Sequence, residues 1–184
     1  MSGTNENANG PAAFSTDRLD LLPLRVAYAD EMAGVLADPG LHVFIGGAPP
    51  TVDELRARYA RQAAGSPDPT VTWWNWVIRL RTAGALAGTL QATVQGPVAE
   101  IAWVVGAEWQ GRGIAKEAAA GLVALLGEVP GVREVVAHIH PGHRASAAVA
   151  GAVGLSPTGD RQDGEVRWRS SPPHGSPDGR RTPR

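Results

Sequence analysis

The chain contains no cysteine, and Lys116 is the single lysine among its 17 basic residues. Without cysteine there is no disulfide framework, no thiolate nucleophile and no thiolate-ligated zinc. No run of about 18 apolar residues occurs, so no membrane-spanning helix is expected. The polar start MSGTNENANG lacks the apolar core of a signal peptide, which gives the expectation of a cytoplasmic protein. A formal net charge of −1 supplies no electrostatic reason to expect nucleic acid as a partner. The preference for arginine over lysine, beside abundant alanine and glycine, reads as the codon bias of a GC-rich genome rather than as function.

What is present suffices for one domain, since 43% of the 184 residues are hydrophobic and can build a core. Residues 1–13 and 170–184 combine Pro, Gly, Ser and charge with little to bury, and both are expected to be disordered tails. That leaves a domain over residues 14–169. LDLLPLR reads as a short strand with Pro23 at an edge or a strand end. Residues 28–40 place Met32, Val35 and Leu36 at helical spacing and stop at Pro39 and Gly40. Thr51 followed by Glu54 matches a capping box, opening a helix that ends at Gly65. TWWNWVIRL and ALAGTLQATV form a hairpin joined by RTAG, and AEIAWVV is a third strand. Then come a helix over about residues 112–128, the strand REVVAHI, a short alanine-rich helix ended by Gly154, and a last strand, EVRWRS. Strands first, then a helix crossing between strands, give a mixed α/β or α+β class.

In WVVGAEWQGRGIAKEA two glycines flank an arginine between an apolar strand and a helix. A helix start leaves unpaired N–H donors and a partial positive charge, which suits an anion and above all a phosphate. Glycines at 111 and 113 let that anion approach the backbone. The plainer reading is a simple strand-to-helix turn. A P-loop is excluded by the absence of G-x-x-x-x-G-K-[ST], and GAEWQGRG lacks the triple glycine of a dinucleotide fold.

Gln110-Gly111-Arg112-Gly113-Ile114-Ala115 resembles the Q/R-x-x-G-x-G/A signature of the GNAT N-acetyltransferases. HPGHRASAAVAGAVGLSPTG is similar to that family's second coenzyme-proximal segment, H-P-x-N-x-x-S-x-x-V-x-x-x-x-G-F. TDRLDLLPLRVAYADEMAGVLADPG resembles the opening of the Rim-type branch. The resemblance implies the GNAT fold, a central twisted mixed sheet of six or seven strands flanked by about four helices. It also implies acetyl-CoA as co-substrate, with no metal. Gln110, Gly111, Arg112, Gly113, Ile114 and Ala115 would hold the pyrophosphate. Trp103, Val104 and Val105 would bond the pantetheine arm in a gap between the family's fourth and fifth strands, and His143 and Ser146 would lie beside the coenzyme.

The implied reaction moves an acetyl group to a primary amine in a ternary complex. The amine is a protein or peptide N-terminus or a small molecule such as an antibiotic. Glu100 is the first candidate for the base, acting through water, or else a solvated strand-end carboxylate. Glu108 is a weaker candidate. The tyrosine that many members use as acid falls at Ala150, so Ser146 or a water takes that part, or the thiolate leaves unprotonated. His143 stands where the family usually has Asn. His138 and His140 share a strand face and could bind a metal or assist as base, although no carboxylate lies near them in sequence. Trp74 and Trp76 face one side of their strand and Trp73 the other. Trp73 and Trp74, with His138, are candidates for the acceptor site, and core packing is the alternative for the tryptophans. Arg112 and Lys116 either touch phosphates or are solvated. Dimerisation is common in the Rim-type branch, and a homodimer is therefore open. The rival readings are a catalytically idle module that binds acyl-CoA and a phosphate or nucleotide binder of another fold.

Overall fold

Leu19 and Leu21 are fully buried on one face of a strand while Leu22 packs on the other, and Trp76 and Ile78 alternate with Val77 in the same way. This period of two is what a sheet covered on both faces demands. The computed structural model describes residues 10–170 and contains eight strands in one sheet. They are β1 (Phe14–Ser15), β2 (Leu19–Pro23), β3 (Val71–Leu80), β4 (Leu86–Gln95), β5 (Val98–Val105), β6 (Glu134–Ile139), β7 (Leu155–Gln162) and β8 (Glu165–Ser170). Five α-helices accompany them: α1 (Ala29–Val35), α2 (Pro39–Ile45), α3 (Val52–Ala64), α4 (Ile114–Gly127) and α5 (Arg144–Ala152). The strand order is β1-β2-β3-β4-β5-β6-β8-β7, antiparallel throughout except for β5 beside β6.

The mixed α/β class expected from the sequence is found, with the element count corrected upward from six or seven strands and four helices. β7 was not foreseen because Pro157, Gly159 and Asp160 are poor strand formers, tolerated here because β7 lies at the sheet edge. α2 was not foreseen because Pro39 and Gly40 read as a stop. They instead open a helix: Pro39 needs no N–H at the first position, and the Asp38 side chain accepts from Gly40 N at 2.7 Å. The capping box at Thr51 and Glu54 is formed, and α3 ends at Gly65. Most of the tails at 1–13 and 170–184 lies outside the described residues. Ala12 is an exception whose carbonyl accepts from Trp76 Nε1 at 2.9 Å.

α4 lays Leu122 and Leu126 on the face that carries Leu19, Trp76, Leu90 and Ile101. α1 and α3 cover the opposite face, with Met32, Leu55 and Tyr59 packed against Leu24, Val77 and Leu86. Cutting either α4 leucine to alanine is expected to cost about 2–5 kcal/mol. These two layers cover the sheet on both faces, and its strands pair in sequence up to β5. Beyond it the pairing fails: β5 and β6 are joined only by Val98↔Glu134, Ala99↔Val135 and Glu100↔Val136. β5 continues to Val105 along β4, while β6 continues to Ile139 along β8. The sheet therefore opens into a gap.

Candidate active site

A cavity of about 650 Å³ fills that gap. Trp103, Val104 and Val105 form one wall, and no β6 residue pairs with their free strand edge. Backbone donors and acceptors on such an edge are available to an extended ligand that lies along it as a further strand. His143, the N-cap residue of α5, lines the cavity with Ser146 and Val149 of that helix and with Leu41 and Phe44 of α2.

The floor is the start of α4. Gly111 and Gly113 have φ of 73° and 76°, in the left-handed region that side chains disfavour. Gly113 is the N-cap residue, and no side chain caps the helix. The first N–H groups of α4 thus have no helical or capping acceptor, and they open on the same cavity through Gly113, Ile114, Ala115 and Lys116. A Cβ at Gly111 would meet nothing within 4 Å, so the space beside the loop is open. Gln110 fastens the loop to β5, its Nε2 donating to the Val105 carbonyl at 3.0 Å. Uncapped donors, the helix dipole and a side-chain-free approach combine to favour an anion here.

Of the residues expected at the coenzyme, Arg112 alone does not line the cavity. Its guanidinium lies over the Trp109 ring, 5.0 Å from the centroid. His143 stacks on Phe44 at 4.3 Å and 5°. Burial holds its pKa below the ordinary histidine value, and repulsion from His140 adds to this. His143 therefore presents a neutral ring at neutral pH. Ala150, at the family's tyrosine position, is fully buried and cannot contribute an acid.

Glu100 belongs to the last β5–β6 pair, at the point where the strands part. Its Oε1 lies 3.2 Å from Nδ1 of His138, and their side chains are 50% and 13% exposed. The two candidates for proton transfer are thus brought together, one carboxylate beside one imidazole, at the apex of the gap rather than on the cavity wall. Trp73 pairs with Thr93 and Thr93 with Glu100, so these three share a face of the sheet. Trp74 lies on the opposite face, edge-on to Trp76 at 6.3 Å. Neither tryptophan lines the cavity. Glu108 borders a smaller neighbouring cavity of about 440 Å³ together with Glu31 and Asp38. Among the described residues no three His, Asp or Glu side chains gather as a metal-binding set, and no helix is long and apolar enough to cross a membrane.

Sequence reasoning missed Leu41, Phe44 and Trp109 as cavity residues. The signal that could have found the first two is Asp38-Pro39, a cap followed by a first-turn proline, which marks a second helix there.

A glycine-rich helix start beside a parted pair of strands is the arrangement that the resemblance to a class of acetyltransferases implied. The chain belongs to the GNAT acetyltransferases: the model of the acetyltransferase (GNAT) domain matches residues 18–156. No curated protein sequence matches it. Among solved structures it is similar to an acetyltransferase from Agrobacterium tumefaciens, with TM-score 0.71 and 24% identity over 92% of this chain and 99% of that one. It is also similar to RimL, a ribosomal-protein α-N-acetyltransferase in complex with coenzyme A, with TM-score 0.72 and 16% identity over 86% and 97% of the two chains. A third is AAC(6')-Ib in complex with paromomycin and acetyl-CoA, with TM-score 0.70 and 19% identity over 84% and 94%. At these identities the likeness is one of fold.

Proposed function

We propose that the protein is an acetyl-CoA-dependent N-acetyltransferase that acts on a primary amine. The observation that carries this reading is the meeting of two anion- and strand-binding features in one cavity: the free edge of Trp103, Val104 and Val105, and the uncapped start of α4. The pantetheine amides would bond that edge, and the pyrophosphate would take the N–H groups from Gly111 to Ala115. The thioester would then lie toward the apex, where Glu100 and His138 meet.

The amine nitrogen attacks the thioester carbonyl carbon, the C–N bond forms and the C–S bond breaks. The amine proton passes to Glu100 through water, with His138 placed to share it. The coenzyme thiolate leaves as the anion or takes a proton from Ser146 or water. An N–H of β5 that faces the gap supplies the oxyanion contact, and holding both reactants in one cleft supplies much of the rate. An α-amine of pKa about 8 needs less help from the base than a lysine at about 10.4. This favours a peptide N-terminus, in keeping with the fold it shares with RimL. A small cationic amine such as an aminoglycoside is the other acceptor class, in keeping with the AAC(6')-Ib complex.

The test is thermal stabilisation by acetyl-CoA against ATP and NAD, then thiol release with N-terminal peptides, polyamines and aminoglycosides. Stabilisation by acetyl-CoA alone is expected, with turnover that falls about a hundredfold in Glu100→Gln. No stabilisation at saturating acetyl-CoA sinks the reading. The buried Ala150 favours one alternative, an idle acyl-CoA-binding module. It predicts binding without thiol release toward any amine.

A further inference from the structure

Arg18 lies in the turn between β1 and β2, far from the glycine loop in sequence and against it in space. Its Nη1 donates to the Arg112 carbonyl at 3.1 Å and its Nε to Glu117 Oε2 at 2.6 Å. Glu117, in the first turn of α4, also accepts from Arg18 N at 2.8 Å and from Thr16 Oγ1 at 2.6 Å. Its side chain is only 18% exposed. The turn is anchored from the sheet, where the Arg18 carbonyl accepts from Arg81 N at 3.0 Å. It also sits flush on α4 at Gly121, where a Cβ would come within 2.9 Å of the Thr16 methyl and 3.0 Å of the Phe14 ring. Nη2 is the guanidinium nitrogen nearest Gly113, 3.4 Å from where its Cβ would be, and it makes no hydrogen bond among the described residues.

Two left-handed glycines leave the loop little stiffness of its own. Arg18 restrains it through a carbonyl, which leaves the N–H groups of residues 111–113 free for an anion, and its one uncommitted nitrogen lies beside Gly113, which lines the cavity. We propose that Arg18, oriented by Glu117, is the residue that positions the phosphate loop and donates from Nη2 to a coenzyme phosphate. This rests on reading the α4 start as the phosphate site of acetyl-CoA.

The test is calorimetric titration of the full chain with acetyl-CoA and with S-acetylpantetheine, which carries the same thioester without the phosphate loop's ligand. Arg18→Ala is expected to weaken acetyl-CoA about tenfold, the worth of one charged hydrogen bond, and to leave S-acetylpantetheine unchanged. Arg18→Lys should recover little, since one ammonium cannot hold Glu117 and the Arg112 carbonyl together. Glu117→Gln should fall between wild type and Arg18→Ala. Should Arg18→Ala fail to fold, Arg18→Lys is read the same way. An Arg18 variant that binds acetyl-CoA within about twofold of wild type overturns the proposal and leaves the function standing. Equal losses for both ligands would assign Arg18 a purely structural part and also overturn it. A wild type that binds no acetyl-CoA removes the proposed function and this proposal together.

Discussion

Helix α3 closes its first turn from its own sequence. Thr51 Oγ1 accepts from Glu54 N at 3.3 Å, and Glu54 Oε2 accepts from Thr51 N at 2.8 Å. The bond from Thr51 N, with a second from Thr51 Oγ1 to Glu54 Oε2 at 2.9 Å, holds the Glu54 carboxyl below its ordinary pKa. Helix α4 starts at a left-handed glycine with no capping side chain, although it carries more of the core than α3 does. A cap of the α3 kind contributes about 1 kcal/mol. Forgoing it on the helix that most needs anchoring makes sense if the donors serve a ligand and the anchoring comes from elsewhere. Here it comes from Leu122 and Leu126 below, and from Thr16 and Arg18 through Glu117 at the side.

Exchanging the two designs gives the largest expected effect. Gly113→Asp would put a carboxylate where the phosphate is expected and a side chain at a φ of 76°, and acetyl-CoA affinity should drop about a hundredfold by calorimetry through like-charge repulsion and loop strain. Unchanged affinity would mean that the uncapped start serves no anion. The converse change is smaller. Thr51→Ala should cost about 1 kcal/mol in denaturant unfolding and leave acetyl-CoA affinity at the wild-type value, since the α3 cap serves stability alone.

The smallest effect is set by pH. Burial alone would raise the Glu117 pKa, but hydrogen bonds from Thr16 and Arg18 and the Arg18 charge outweigh it, and the net direction is down from 4.5. A carboxyl with a depressed folded pKa contributes stability that is complete above the unfolded value and is lost as pH falls through the folded one. Wild type should therefore lose its stability advantage over Glu117→Gln below pH 4.5, as followed by melting temperature against pH. A constant difference across that range would show that the carboxylate is not what holds the turn.

Legibility in the sequence followed the same divide. The α3 cap was readable because Thr51 and Glu54 are three residues apart and their chemistry is local. The β3–β4 hairpin and the opposed faces of Trp73 and Trp74 follow from a period of two, and the register confirms them. The sharp turn of the glycine loop was readable from Gly111 and Gly113, both of which are left-handed. The gap beside it came from resemblance, because strand splaying leaves no local signal. The parts that were missed depend on residues far apart or on ambiguous punctuation. Arg18 and Glu117 are 99 residues apart, with no pattern linking them. Pro39-Gly40 is a helix stop in one context and a first turn in another, and only the Asp38 cap decides. The nearness of Glu100 and His138 needed the parallel β5–β6 register.

The most direct measurement is amide hydrogen exchange with and without acetyl-CoA, read at Ile114, Ala115 and Lys116 and at the N–H groups of residues 103–105 that face the gap. These donors should exchange fast in the free protein and become strongly protected on binding, while the first turn of α3 stays unchanged. Binding that leaves the α4 start and the β5 edge exchanging at their free rates would contradict the assignment of this cavity to the coenzyme.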